Sequence, residues 1–182
     1  MLRVGIADHF GWAIAITVSA SHEVVDRRRI ALVEPGVTEA PIHYESKLLD
    51  DAGTAALVAE VRASVVRASG AAFDELVASL TEPVVSMSLR ALPANCPDDI
   101  AVLRRAPYEA RADAIMYRRV LVELAREREW AVHFYEAKTV VRQAAAVLGD
   151  RTDAVLDGPR STLGPPWTKD HRTALAATVV SA

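Results

Sequence analysis

Leu2, Val4 and Ile6 alternate with Arg3, Gly5 and Ala7. A period of two belongs to a strand with unlike faces, and it puts Asp8 on the Leu2/Val4/Ile6 face at the strand's end. His9-Phe10-Gly11 is short enough for a hairpin connection, with Gly11 giving backbone freedom before a second apolar run, Trp12 to Val18. A third β-rich run, Val24 to Val33, is interrupted by Arg27-Arg28-Arg29, so at least one of its faces meets water, as on a sheet edge. Glu34 to Asp51 has no clear period and reads as a connecting loop. Leu57, Val58, Val61 and Val65 then recur at helical spacing between Thr54 and Ser69, with Gly70 as a stop and Phe73 to Leu80 as a short further helix. Val84 to Leu89, opened by Pro83, is a fourth strand, and Trp130 to Tyr135 a fifth. Between them Tyr108 to Arg128 is the longest helical stretch, with Ala112, Ile115, Met116, Val120 and Leu124 as its apolar face. Thr139 to Leu148 is a helix closed by Gly149, Asp150 to Pro166 a polar loop, and Thr168 to Val180 a final helix.

The order β-β-β-α-β-α-β-α predicts an α/β protein with a mixed five-stranded sheet. Three hairpin-joined strands are antiparallel, and two more reached through helices are parallel. Ligands of open α/β sheets gather at the switch point beside the first strand, where Asp8 lies. No repeat or linker divides the chain, so residues 1–182 are read as one domain. Its 182 residues are 51% hydrophobic but only 5% aromatic, which calls for a core of small and β-branched side chains. A net charge of −3 argues against a generally basic coat for nucleic acid and leaves only a local patch for such a role. Cys96 is the single cysteine, which excludes an internal disulfide framework and a cysteine-based zinc cluster and points to a reducing, cytoplasmic compartment. The longest apolar run, Gly11 to Val18, is far short of the ~20 residues that span a bilayer, so no membrane association is expected.

Val4-Gly5-Ile6-Ala7-Asp8 followed by Phe10-Gly11-Trp12-Ala13-Ile14-Ala15 resembles the opening strand and glycine-containing hairpin of the ribonuclease H-like superfamily, and within it the RuvC-type Holliday junction resolvases. Trp167-Thr168-Lys169-Asp170-His171-Arg172-Thr173-Ala174-Leu175-Ala176 is similar to the acidic start of that family's last helix. The resemblance implies a ribonuclease H-like fold, structured nucleic acid as partner, a homodimer, and two divalent cations, Mg²⁺ or Mn²⁺, between carboxylates, one activating water and the other stabilising the leaving oxygen. It matches Asp8 to the family's first-strand metal ligand and Asp170 to its last-helix ligand; His9 and Glu45 are candidate further ligands from their own chemistry, and Lys169 and His171, flanking Asp170, are candidate members of the catalytic set. Hard cations need oxygen donors at several strand and helix ends. His9 and His171 also open a mixed His/Asp site for Mn²⁺ or Zn²⁺.

This sequence departs from the family in two places. The fourth strand reads Ser86-Met87-Ser88-Leu89-Arg90 with no acid, and Thr173 and Ala174 stand one turn along the last helix where a second acid is expected. Replacement ligands would have to come from Glu45, His43, Glu136 or Asp113. Three functions follow: a divalent-metal-dependent nuclease or binder of structured nucleic acid, a non-catalytic ribonuclease H-like interaction module without the full carboxylate set, and a small-molecule enzyme using His9, Lys169, Asp170 and His171 for acid/base or phosphate chemistry in a pocket too narrow for a duplex. Asp170 also suits a plain structural role, a carboxylate offsetting the dipole of its helix near a Thr168 cap. The arginines Arg27 to Arg29 and Arg104 to Arg128 read either as a phosphate-binding surface or as a solvated face paired with Glu109, Glu123, Glu127 and Glu129.

Overall fold

The computed structural model describes residues 1–93 and 95–181. Strands β1 (Leu2–Asp8), β2 (Trp12–Val18) and β3 (Val24–Ala31) form the expected antiparallel meander, and β4 (Val84–Arg90) and β5 (Ala131–Tyr135) add in parallel to give the order β3-β2-β1-β4-β5. β1 is central, so its carboxyl end sits at the point where the sheet changes from antiparallel to parallel pairing. Helices α1 (Asp51–Ala78) and α3 (Glu109–Glu127) cover one face. Helices α4 (Val140–Leu148), α5 (Thr152–Leu156) and α7 (Lys169–Val180) cover the other. Short helices α2 (Ile100–Leu103) and α6 (Pro159–Leu163) complete the set.

Strand parity divides the core. Leu2, Val4 and Ile6 pack with Val61, Val65, Phe73, Tyr117 and Leu121 of α1 and α3, whereas Ala7, Ile14 and Ile16 pack with Ala174, Leu175 and Val179 of α7. Gly5 falls on the α7 side, and the helix backbone lies so close that a Cβ there would stand 1.9 Å from the Ala174 carbonyl oxygen. This approach fixes how near α7 comes to the centre of the sheet.

Four expectations are corrected. Gly70 does not stop the first helix: α1 runs through it, because Phe73 and Leu76 continue the buried stripe of Val61, Val65 and Ser69. Burying those two side chains outweighs the ~1 kcal/mol that a mid-helix glycine costs. α1 also starts earlier than Thr54, since the Asp50 side chain caps it by accepting from the Gly53 amide at 2.7 Å. The segment after Gly149 is not a plain loop. It folds into α5 and α6, with Val155 and Leu156 buried under α7, in turns too short to show a period. Part of the segment from Glu34 to Asp51 is helical too, a turn over Pro41–Glu45 held by α3, whose buried Asp113 accepts from the Ile42 and His43 amides at 3.1 and 2.9 Å. Burial raises the Asp113 pKa against the lowering effect of those two amides. Among the described residues no helix is long and apolar enough to cross a membrane.

Candidate functional site

Asp8 ends β1 facing α3, as its parity predicts, and is buried there. Its Oδ2 accepts from the Nε of Arg118 at 2.8 Å, and Arg118 Nη1 donates to the Ala91 carbonyl at 3.3 Å. Both side chains are almost fully enclosed, 2% exposed for Asp8 and 10% for Arg118. Asp8 Oδ1 is buried without a hydrogen-bond partner among the described residues. Tyr135, at the end of β5, stands beside the pair. Burial and then the Asp8 charge push its hydroxyl well above the ordinary phenol value, so it stays protonated and donates to the Ile6 carbonyl at 2.7 Å.

Alternation turns the next residue the other way. His9 reaches the start of α7 and donates from Nε2 to Asp170 Oδ2 at 3.1 Å. Its ring stacks on Trp12 with centroids 4.2 Å apart, and Arg29 covers Trp12 at 4.4 Å. Asp8 is therefore engaged from the α3 side and Asp170 from the hairpin. Lys169 is exposed on the first turn of α7. His171 is buried and belongs to the helix's own cap: its Nδ1 accepts from the Thr168 amide at 3.2 Å. Glu45 ends the turn that α3 holds.

The expected ligand set Asp8, His9, Glu45 and Asp170 is thus not assembled: among the described residues no three His, Cys, Asp or Glu side chains form a group able to hold a metal. A two-cation centre does not fit the residues that are present. The Asp8 carboxylate is already neutralised by Arg118, the end of β4 carries Arg90 instead of an acid, and Asp170 is taken by His9. The open Asp8 Oδ1 is one acceptor in a positive surround, and a cation placed there would meet guanidinium groups rather than further oxygens.

A concave cavity of about 380 Å³ opens at this point, lined by Asp8, His9, Arg90, Arg111 and Arg118 with Ala110 and Ala114 among its other walls. Arg90 and Tyr135 were not among the expected site residues, and Arg111 and Arg118 were expected only as members of the general arginine population of Arg104 to Arg128. One signal marks Arg118 in the sequence: it interrupts the α3 stripe Ile115, Arg118, Val122 at core-facing spacing.

The remaining arginines are mostly absorbed by the fold. Arg27 donates to the carbonyls of Gly164, Pro166 and Leu163, and Arg28 pairs with Asp26. Arg62 pairs with Glu123, Arg67 with Glu34, Arg104 with Asp51, Arg119 with Asp98 and Arg128 with Asp74. These contacts favour paired arginines over a broad phosphate-binding surface, but the partners are other acids than expected: of Glu109, Glu123, Glu127 and Glu129 only Glu123 is in an ion pair among the described residues, and its partner is Arg62.

The His171 cap makes a pH-dependent contribution. Burial, and secondarily the charge of Arg27, hold its imidazole below the ordinary value of 6.5, with Asp170 opposing. The unfolded chain therefore takes up this proton first on acidification. The stabilisation is complete above about pH 6.5 and is lost as pH falls through the lower folded-state value. Thermal melts between about pH 7.5 and pH 5 should fall more steeply for the native chain than for His171→Gln, whose amide can still close the capping box without titrating.

No protein-family model and no curated protein sequence matches this chain. Its architecture is that of the ribonuclease H-like class, a mixed five-stranded sheet between two helical layers. Within that class the fold is the one RuvC builds. The structure of T. thermophilus RuvC in complex with Holliday junction substrate superposes with a TM-score of 0.52 at 12% identity, covering 99% of this chain and 91% of that one. A second Thermus thermophilus RuvC structure gives 0.48 at 13% identity, with coverage of 99% and 92%.

Proposed function

We propose that this chain is a ribonuclease H-fold module that holds nucleic acid without hydrolysing it. The observation that carries this reading is the buried Asp8–Arg118 pair: the carboxylate that a two-metal nuclease turns toward a cation is here bonded to a guanidinium. Arginine supplies positive charge and forked N–H donors suited to phosphate oxygens, but it cannot generate a metal-activated water. The non-catalytic alternative raised by the missing fourth-strand acid is therefore preferred over the nuclease. Nucleic acid is chosen as partner because the RuvC of similar fold is described with a Holliday junction substrate and because arginines line the cavity at the same sheet's centre.

Fluorescence anisotropy with a labelled four-way junction, a duplex and a single strand tests this, run with EDTA and with Mg²⁺ or Mn²⁺ and followed by denaturing gels. The expected result is metal-independent binding with every strand recovered intact. Affinity should drop about tenfold between 50 and 200 mM salt, the drop for roughly two phosphate contacts. Metal-dependent nicking that disappears in Asp8→Asn would make the chain a nuclease after all. Absence of binding at either salt concentration would remove nucleic acid as its partner.

A further inference from the structure

We propose that the cavity at the end of β1 and β4 is a receptor for a terminal phosphate, the phosphomonoester at the end of a nucleic-acid strand, with Arg90, Arg111 and Arg118 as its donors. This deepens the preceding reading and rests on it for the nucleic-acid part of the ligand.

Three observations converge. First, the donors are placed and underused. Arg90 has a buried Nε without a partner among the described residues, and a buried N–H left without an acceptor is costly. Arg111 lies two helical turns before Arg118 on α3, so both guanidinium groups project from one face of that helix into the same cavity. Neither Arg90 nor Arg111 has an ion pair with a carboxylate among the described residues, whereas the arginines named above are bound to acids and carbonyls. Arg118 is held rigidly by Asp8 and the Ala91 carbonyl, which fixes its position before any ligand arrives.

Second, the charge balance selects the ligand. Three guanidinium groups and the Asp8 carboxylate leave a formal excess of two positive charges in the cavity. A phosphomonoester carries about −1.5 to −2 at neutral pH and matches that excess, whereas an internal phosphodiester carries a single charge. Asp8 Oδ1, open and unpartnered, offers an acceptor to a hydroxyl on the same ligand.

Third, the shape selects an end. At about 380 Å³ the cavity is concave and too small for a duplex. The small side chains of Ala110 and Ala114 leave room along the α3 wall between the arginines. A strand end brings its phosphate into such a recess with a nucleotide on one side only, whereas an internal phosphate carries nucleotides on both sides that the walls must also clear.

The test compares otherwise identical oligonucleotides ending in 5′-phosphate, 3′-phosphate or hydroxyl, with inorganic phosphate in thermal melts as a separate probe of the recess. For the native chain, one phosphorylated end should bind roughly tenfold more tightly than the hydroxyl end, the gain from added charge-assisted hydrogen bonds. That preference should vanish in Arg111→Ala and Arg90→Gln, with melting curves checking that both variants remain folded. Equal binding of all ends would overturn the terminal-phosphate site while leaving nucleic-acid binding in place. A preference that survives both substitutions would overturn the assignment to this cavity. If no oligonucleotide binds but phosphate raises the melting temperature only when Arg90 and Arg111 are intact, the nucleic-acid reading fails and the ligand is a free phosphate compound instead.

Discussion

Arg118→Ala should destabilise the protein by about 3–5 kcal/mol, the range for removing one partner of a buried ion pair. The cost arises on the side that remains. Without Arg118, the Asp8 carboxylate would sit enclosed with its Oδ1 already unpartnered and its Oδ2 newly so. A neutral pair of similar shape, Asp8→Asn with Arg118→Met, should recover most of the loss, because it removes the charge that has to be compensated. Urea unfolding of the two single variants and the double variant measures both terms. A single-variant cost below about 1 kcal/mol, the level of an exposed pair, would show that water reaches the carboxylate and that the pair does not neutralise it as described.

Gly5→Ala should be nearly as damaging. The new methyl carbon would stand 1.9 Å from the Ala174 carbonyl oxygen and 3.0 Å from the Thr178 methyl, and backbone cannot swing aside as a side-chain tip can. Either α7 moves off the sheet or β1 bends, at a cost of about 3 kcal/mol, the upper part of the usual range for overpacking. Gly70→Ala is the matched comparison. Its Cβ would meet only the Leu124 side chain at 3.9 Å, an ordinary contact, so the helix should gain about 0.5–1 kcal/mol from the better helix former. Chemical denaturation should therefore move the two glycine variants in opposite directions. A Gly5→Ala variant as stable as the native chain would refute the close packing of α7 on β1.

The sheet was legible in the sequence because strand alternation is local. Parity in β1 was enough to assign Asp8 to the Val4/Ile6 face, and the apolar run of β2 and the charged β3 followed from the same pattern. The helical boundaries were less accessible. Gly70 looks like a terminus until tertiary burial of Phe73 and Leu76 is known, and Val155 and Leu156 occupy turns too short to show a period. The site was the least accessible part, since its defining contact joins residues 110 apart. Parity also explains why Asp8 and Asp170 are separately engaged. Asp8 meets the α3 side, while α7 covers the opposite face and is reached by the next residue, His9. An arginine inside an apolar stripe was the available clue, but it was hidden among the many arginines on and around α3.

The packing of α7 on Gly5 also has a consequence in time. Ala174 follows Gly5 by about 170 residues, and at a synthesis rate of roughly 5–20 residues per second the ribosome needs on the order of 10–30 s to deliver it. The meander of β1, β2 and β3 can pair as soon as it emerges, because its hydrogen bonds are local. Through that interval the side of the hairpin bearing Gly5, Ala7, Ile14 and Ile16 has no α7 to cover it. Nascent chains would therefore carry an apolar hairpin face during most of their production, the kind of surface that chaperones shield until the helix arrives.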